Sequence, residues 1–165
     1  MTYLRDLMLL QTPEGVVDVD SAERWRERRG QIAATFAELL GEGPEGPPPL
    51  EPRIDGEVDV GAYTRYRVSY AVDRGERVPA FLLVPKAARV PAPAVYCPHQ
   101  TTASGKEEPA GLAGKAELHY AHDLAMRGFV TLAPDHVSAG ERRSPGLTDF
   151  DTAALYERYP RWSAV

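Results

Sequence analysis

At 165 residues and 43% apolar content, the chain suffices for one modest domain with its own core. A formal net charge of −5 with scattered basic residues argues against a nucleic-acid or anionic-membrane surface. Cys97 is the single cysteine, which excludes an internal disulfide framework and a multi-cysteine zinc site and suits a reducing compartment.

Met1 to Leu10 is interrupted by Arg5 and Asp6 and is too short an apolar run for a signal peptide. No stretch approaches a membrane span, so the chain reads as a cytoplasmic protein without membrane contact. Asp20 followed by Glu23 has the form of a capping box, with an acceptor at the N-cap and a carboxylate three residues on. Trp25, Ile32, Phe36, Leu39 and Leu40 then recur at helical spacing, and Gly41 supplies a stop. The spacing predicts an amphipathic helix over residues 21–40, with Arg24, Glu27, Arg28 and Arg29 on its solvated face.

Residues 43–52 (GPEGPPPLEP) read as a stiff connector, because proline removes backbone donors and favours an extended chain. The organisation expected is a helical segment over residues 1–42, a Pro-rich linker over 43–53 and the main domain over 54–165. From Tyr63 the period falls to two: Tyr66, Val68, Tyr70 and Val72 alternate with Arg65, Arg67, Ser69 and Ala71. A turn at residues 73–76 and an apolar run over 78–84 complete an antiparallel hairpin. Residues 92–97 form a third short strand, ended by Pro98. A loop from His99 to Gly114 leads to a helix over residues 115–127, with Gly128 where a helix C-terminus needs positive φ. Residues 129–133 are a fourth strand, so strand, helix and strand make a crossover unit with a parallel pair. Residues 151–159 suggest one more short helix.

Several residues combine into a resemblance. Pro98-His99-Gln100-Thr101-Thr102 after the third strand, followed by Gly105-Lys106-Glu107-Glu108-Pro109, resembles the oxyanion-loop region of dienelactone hydrolase and acetyl xylan esterase relatives in the α/β-hydrolase superfamily. Leu124-Ala125-Met126-Arg127-Gly128-Phe129-Val130-Thr131-Leu132-Ala133-Pro134-Asp135 is similar to a run typical of that family, and Gly140-Glu141-Arg142 resembles the loop after it. The match spans residues 65–143. It implies a partial α/β-hydrolase fold, an α/β class in which a β-hairpin is followed by strand, helix and strand, here preceded by the N-terminal amphipathic helix.

The resemblance also implies chemistry. An ester's tetrahedral intermediate places negative charge on oxygen, which needs fixed donors. One donor in this fold is the N–H beside the nucleophile, and the other comes from the loop after the third strand. That loop is here His99, Gln100 and Thr101, with the backbone around Gln100 and Thr101 as donor and the His99 side chain holding the loop. Asp135 is read as a structural residue fixing its own loop by backbone hydrogen bonds.

No G-x-S-x-G string is present. His136-Val137-Ser138-Ala139-Gly140 comes nearest, but it lacks the first glycine. The residues after it, Glu141 to Gly146, cannot open a packed helix, so Ser138 reads as a loop serine. The resemblance implies that nucleophile, acid and histidine lie beyond Val165, that this chain alone is inactive, and that the third strand is left as an open apolar edge. The isolated chain is then expected to be marginal, self-associating or dependent on a complementary C-terminal segment. The whole protein would take a small-molecule ester. The alternative is a non-catalytic half-hydrolase that binds a complementary subunit through that edge.

A weaker reading gathers His119, His122 and His136 with Asp135 into a zinc site, but the spacing departs from H-E-x-x-H, and ordinary histidines are preferred. Lys106, Glu107 and Glu108 read equally as a substrate entrance or a solvated charge cluster. Cys97 reads as a small core residue. Neither G-x-G-x-x-G nor a Walker A string occurs, and no cofactor is expected.

Overall fold

The computed structural model describes residues 6–40, 46, 48–72, 75–143 and 146. They belong to two compact units, whose described parts are residues 6–40 and 46–146. Gly41, Asp73, Arg74 and the segment 151–159, for which a helix stop, part of a turn and a short helix are expected, lie outside the described residues.

The first unit begins with a hairpin that the sequence pattern does not announce. Strand β1 (Leu9–Thr12) pairs antiparallel with β2 (Gly15–Asp18), Leu10 opposite Val17. Both strands are too short for a two-residue period to stand out. Helix α1 (Ala22–Leu40) follows, with bounds close to those predicted. Its cap is not the predicted one. Ser21 Oγ accepts the Arg24 N–H at 3.3 Å, while Asp20 pairs with the Arg24 guanidinium at 3.0 Å. The amphipathic burial is not seen either: Trp25, Phe36, Leu39 and Leu40 are exposed, and the buried residue of the helix is Arg28. Arg28 donates to the Asp6 carbonyl at 3.3 Å, and Gln31 exchanges hydrogen bonds with the Gln11 backbone. Polar ties hold hairpin and helix together, with Leu10 and Val19 as enclosed apolar residues.

The second unit is built on a five-stranded mixed sheet in the order β3-β4-β5-β7-β6, one strand more than expected. The addition is β3 (Arg53–Asp59), exposed along its whole length and joined to β4 through a bulge between Ile54 and Gly56. Its charges suit an edge strand, which must resist pairing with other chains, and they also hide it from an apolar-period reading. Strands β4 (Tyr63–Ala71) and β5 (Arg77–Pro85) form the predicted antiparallel hairpin, Val68 opposite Ala80. Strand β6 (Ala94–Tyr96) pairs parallel with β7 (Val130–Pro134), and β5 pairs antiparallel with β7.

Between β6 and β7 the predicted helix divides into a 3-10 turn (Ala116–Leu118) and helix α2 (Tyr120–Met126). The Pro109 carbonyl accepts the N–H groups of Ala121 and His122, satisfying donors at the start of α2. At its other end Gly128, at φ 95, donates to the Ala125 carbonyl and Phe129 to that of Leu124, a Schellman closure that turns the chain into β7. Ala121 and Ala125 let α2 sit close to the sheet. Ala125 packs with Tyr63, Leu83 and Phe81, and Ala121 with Cys97, Ala133 and Val95. Val68 and Ala80 are buried on the opposite face.

Among the described residues β6 is an edge. Val130 donates to the Pro93 carbonyl and Cys97 to that of Leu132, so Pro93 and Cys97 turn toward β7. By the strand's alternation, the backbone groups of Ala94 and Tyr96 turn away from it. Both residues are exposed, Tyr96 by 61%. Among the described residues no helix is long and apolar enough to cross a membrane.

Leu83 is fully enclosed between sheet and α2. Leu83→Ala is expected to cost about 2–5 kcal/mol, read as a lower urea midpoint at unchanged slope.

Candidate functional site

Strand β7 delivers Asp135 to the C-terminal end of the sheet, where its N–H donates to the Pro79 carbonyl at 2.9 Å. The carboxylate is completely enclosed and nearly all its capacity is used. Oδ1 accepts the Lys106 N–H at 2.8 Å. Oδ2 accepts the Lys106 ammonium at 2.5 Å and the Glu141 N–H at 3.0 Å. Two loops are thereby clasped to one side chain, the loop after β6 and the loop after β7.

Gly105 and Gly140 make the clasp possible. Each has positive φ (53 and 52), and a Cβ would stand 2.3 Å and 2.2 Å from Asp135 Oδ1, respectively. Any larger residue there must push the backbone off the carboxylate, in a conformation that also disfavours side chains.

Glu141 extends the network. Oε1 accepts from the Lys106 ammonium at 2.5 Å and Oε2 from Arg67 of β4 at 2.6 Å. Burial pushes its carboxyl up, but the hydrogen bonds from Lys106 and Arg67, with their charges, outweigh this and hold it below the ordinary carboxylate range. Arg142 pairs with Glu76 at 3.2 Å, a second tie from the loop after β7 to the sheet. The Lys106 ammonium also lies 5.4 Å from the Phe81 ring centre. The reading of Lys106, Glu107 and Glu108 as an entrance or a solvated cluster therefore fails: Lys106 and Glu108 are buried, and Glu107 alone is exposed. Lys106 and Glu141 escape sequence reasoning because their partners are remote in the chain. The one available signal is the glycine before each.

His99, Gln100 and Thr101 lie on the loop between β6 and the clasp, His99 half-buried and the other two exposed. His99 Nε2 accepts the His136 N–H at 2.9 Å, and its Nδ1 lies 2.5 Å from the Gln100 carbonyl oxygen. Thr102 Oγ1 accepts the Ser104 N–H and the Thr102 carbonyl accepts that of Gly105, which closes the turn. Among the described residues the N–H groups of Gln100 and Thr101 donate to no protein acceptor.

The remaining candidates are dispersed. His122 Nδ1 is hydrogen-bonded to the Tyr63 hydroxyl at 2.8 Å, and His119 Nε2 lies 3.0 Å from the Ala113 carbonyl. His136 instead stacks edge-on with His99. Among the described residues no three His, Cys, Asp or Glu side chains gather where a metal ion fits, so the zinc reading has no geometric basis. Ser138 has φ 65, and its buried Oγ has no partner. The segment after it is a 3-10 turn (Gly140–Arg142) rather than a helix. Cys97 is in the core beneath α2, and burial pushes its thiol up.

No protein-family model matches the chain, and no curated protein matches it. Among solved structures, a Bacteroides fragilis protein provisionally named as an acetyl xylan esterase is similar at TM-score 0.69 and 18% identity. The likeness covers 86% of this chain and 40% of that one. A CE15 esterase from a marine bacterial metagenome gives a TM-score of 0.49 at 14% identity, over 96% of this chain and 46% of that one. The first likeness establishes the fold: a mixed sheet and helix arranged as in part of an esterase. The chain spans less than half the length of either structure.

Asp135→Ala leaves the buried Lys106 ammonium without its main partner, and a loss of about 3–5 kcal/mol is expected in chemical denaturation. The double substitution Lys106→Met with Asp135→Leu, which removes both charges and keeps the volume apolar, is expected to cost less than Asp135→Ala alone. Glu141, with its carboxyl lowered by folding, adds stability that is present above the unfolded value of about 4.3 and fades as pH falls below it. Unfolding free energy measured between about pH 6 and about pH 3 is expected to fall less steeply in Glu141→Gln than in the parent.

Proposed function

We propose that this chain is the N-terminal portion of a serine hydrolase acting on carboxylic esters, and that it contributes the oxyanion loop but not the catalytic triad. The observation that carries the proposal is the pair of unengaged amides at Gln100 and Thr101, exposed on a short loop at the C-terminal end of the sheet. Functional groups gather at that end in α/β folds. The esterase-like fold of the solved neighbour supports the same reading.

In this reading a serine outside the chain attacks the ester carbonyl, and the carbonyl oxygen gains negative charge. An amide of the His99–Gln100–Thr101 loop and the N–H beside the serine donate to that oxygen, which lowers the barrier without reorganisation. The alcohol departs with a proton from the histidine, and water then releases the acid from the acyl-enzyme. Ser138 has no part in this, because its Oγ is buried and the turn directly after it, Gly140–Arg142, is a 3-10 turn. No metal or cofactor enters the scheme. Cytoplasmic residence belongs to the proposal.

A second reading is favoured by one observation, the exposed β6 edge. A non-catalytic half-hydrolase would offer the outward backbone groups of Ala94 and Tyr96 to a strand from a complementary subunit.

A fluorophosphonate probe, which phosphonylates serine-hydrolase nucleophiles, separates the two readings. In native protein from source cells the label is expected on one serine beyond Val165, with Ser138 unmodified. Label on Ser138 overturns the placement of the triad. No label at all overturns the hydrolase and leaves the binding half.

A further inference from the structure

We propose that the Glu108 carboxylate is one half of a buried ion pair, and that its partner is an arginine or lysine side chain of the native polypeptide beyond Val165, on the segment that covers the β6 edge. That segment exists under the hydrolase reading, on which the proposal rests.

Glu108 is 4% exposed. Its Oε1 accepts one hydrogen bond, from the Lys115 N–H at 3.4 Å, beyond the usual range for such bonds. Oε2 is buried and has no partner among the described residues. The other enclosed carboxylate is treated differently: Asp135 receives two N–H groups and an ammonium. Taking a carboxylate out of water is costly unless a countercharge and hydrogen bonds replace the lost solvation. A water molecule supplies a hydrogen bond but no countercharge.

The surrounding loop is built to keep the group enclosed. The Gly111 N–H donates to the Glu108 carbonyl at 3.1 Å, which turns the chain back over the side chain. Gly114, at φ 75, lies so close that a Cβ there would stand 2.2 Å from Oε1. Nearby cations do not serve. Lys106 is committed to Asp135 and Glu141, and Lys115 contributes its backbone while its exposed side chain forms no ion pair among the described residues. A metal ion does not fit either, since no three His, Cys, Asp or Glu side chains gather among the described residues.

The position of Glu108 says where the missing cation comes from. The carbonyl of Pro109, its neighbour, accepts the N–H groups of Ala121 and His122 at the start of α2. Tyr120, the first residue of that helix, donates its hydroxyl to the Pro98 carbonyl, just past the end of β6. Burial pushes the Tyr120 hydroxyl up, and the proximity of Cys97 and Glu108 pushes it the same way. Glu108 therefore lies near the C-terminal end of β6, the strand whose outer edge is open. A segment laid along Ala94 and Tyr96 brings its side chains to that end. The ion pair would fix the segment to the loop that follows His99, Gln100 and Thr101, so Glu108 is a positioning residue and touches no substrate.

The test uses the native protein at its full length. Its crystal structure is expected to show an arginine or lysine nitrogen from beyond Val165 at about 2.7–3.2 Å from Glu108 Oε2. Glu108→Gln, which keeps the shape and removes the charge, is expected to lower the urea midpoint by about 1 M, and Lys115→Met to leave it unchanged. An ordered water or an empty space at Oε2 overturns the proposal. So does an unchanged midpoint in Glu108→Gln, or an equal fall in Lys115→Met. The parent structure decides even where Glu108→Gln does not fold. A cation from a separate chain overturns the assignment to the same polypeptide and favours the binding half. An ion pair in a protein that takes no fluorophosphonate label sinks the hydrolase reading alone. A labelled serine beyond Val165 without the ion pair sinks this proposal alone.

Discussion

The buried pair of Lys106 and Asp135 is the constraint on which the loops after β6 and β7 depend. Removing two charges from water is costly, and the cost is met only when geometry and further hydrogen bonds satisfy both groups. Here Asp135 is enclosed and receives two N–H groups besides the ammonium, while Lys106 is shared with Glu141. The arrangement is worth more as specification than as net stability. It dictates that the loop after β6 and the loop after β7 meet at one carboxylate, in one register, with glycine where the backbones come closest.

That clasp organises its neighbours by direct connection. The loop after β6 returns through Pro109 to the start of α2, whose small residues lie on β5 and β7. The loop after β7 is tied by Glu141 and Arg142 to the β4–β5 hairpin. The stretch from His99 to Ser104 is tied to His136 at one end and closed by the turn at Thr102 and Ser104 at the other. A short segment with unengaged donors held between rigid anchors is the kind of preorganisation that oxyanion stabilisation requires.

Much of the frame is legible in the sequence because it is local. The period of two in residues 63–72, the run ending at Gly128 and the spacing of α1 each reflect contacts within an element or between neighbours. The strands β1, β2 and β3 are hidden for different reasons, brevity in the first two and charge in the third. The apolar stripe of α1 signals a helix correctly yet not what it packs against, since polar bonds from Arg28 and Gln31 join it to the hairpin. Lys106 reads as surface charge because its acceptor is 29 residues away, and Glu141 is 35 from Lys106. A buried ion pair between remote loops leaves no periodicity behind. The loop of His99, Gln100 and Thr101 is reached from resemblance, while the contacts of the His99 ring with residues 100 and 136 belong to the folded geometry alone.

Function turns on whether this polypeptide operates as part of a longer one. Its likeness to an esterase covers well under half of that protein, and its β6 edge carries outward backbone groups beside an exposed Tyr96. Both are consistent with a sheet completed by further sequence. The direct measurement is the intact mass of the native protein from its source cells. The account predicts a mass well above the 18.1 kDa of this chain. A native product of 18.1 kDa would contradict it and turn attention to a partner subunit.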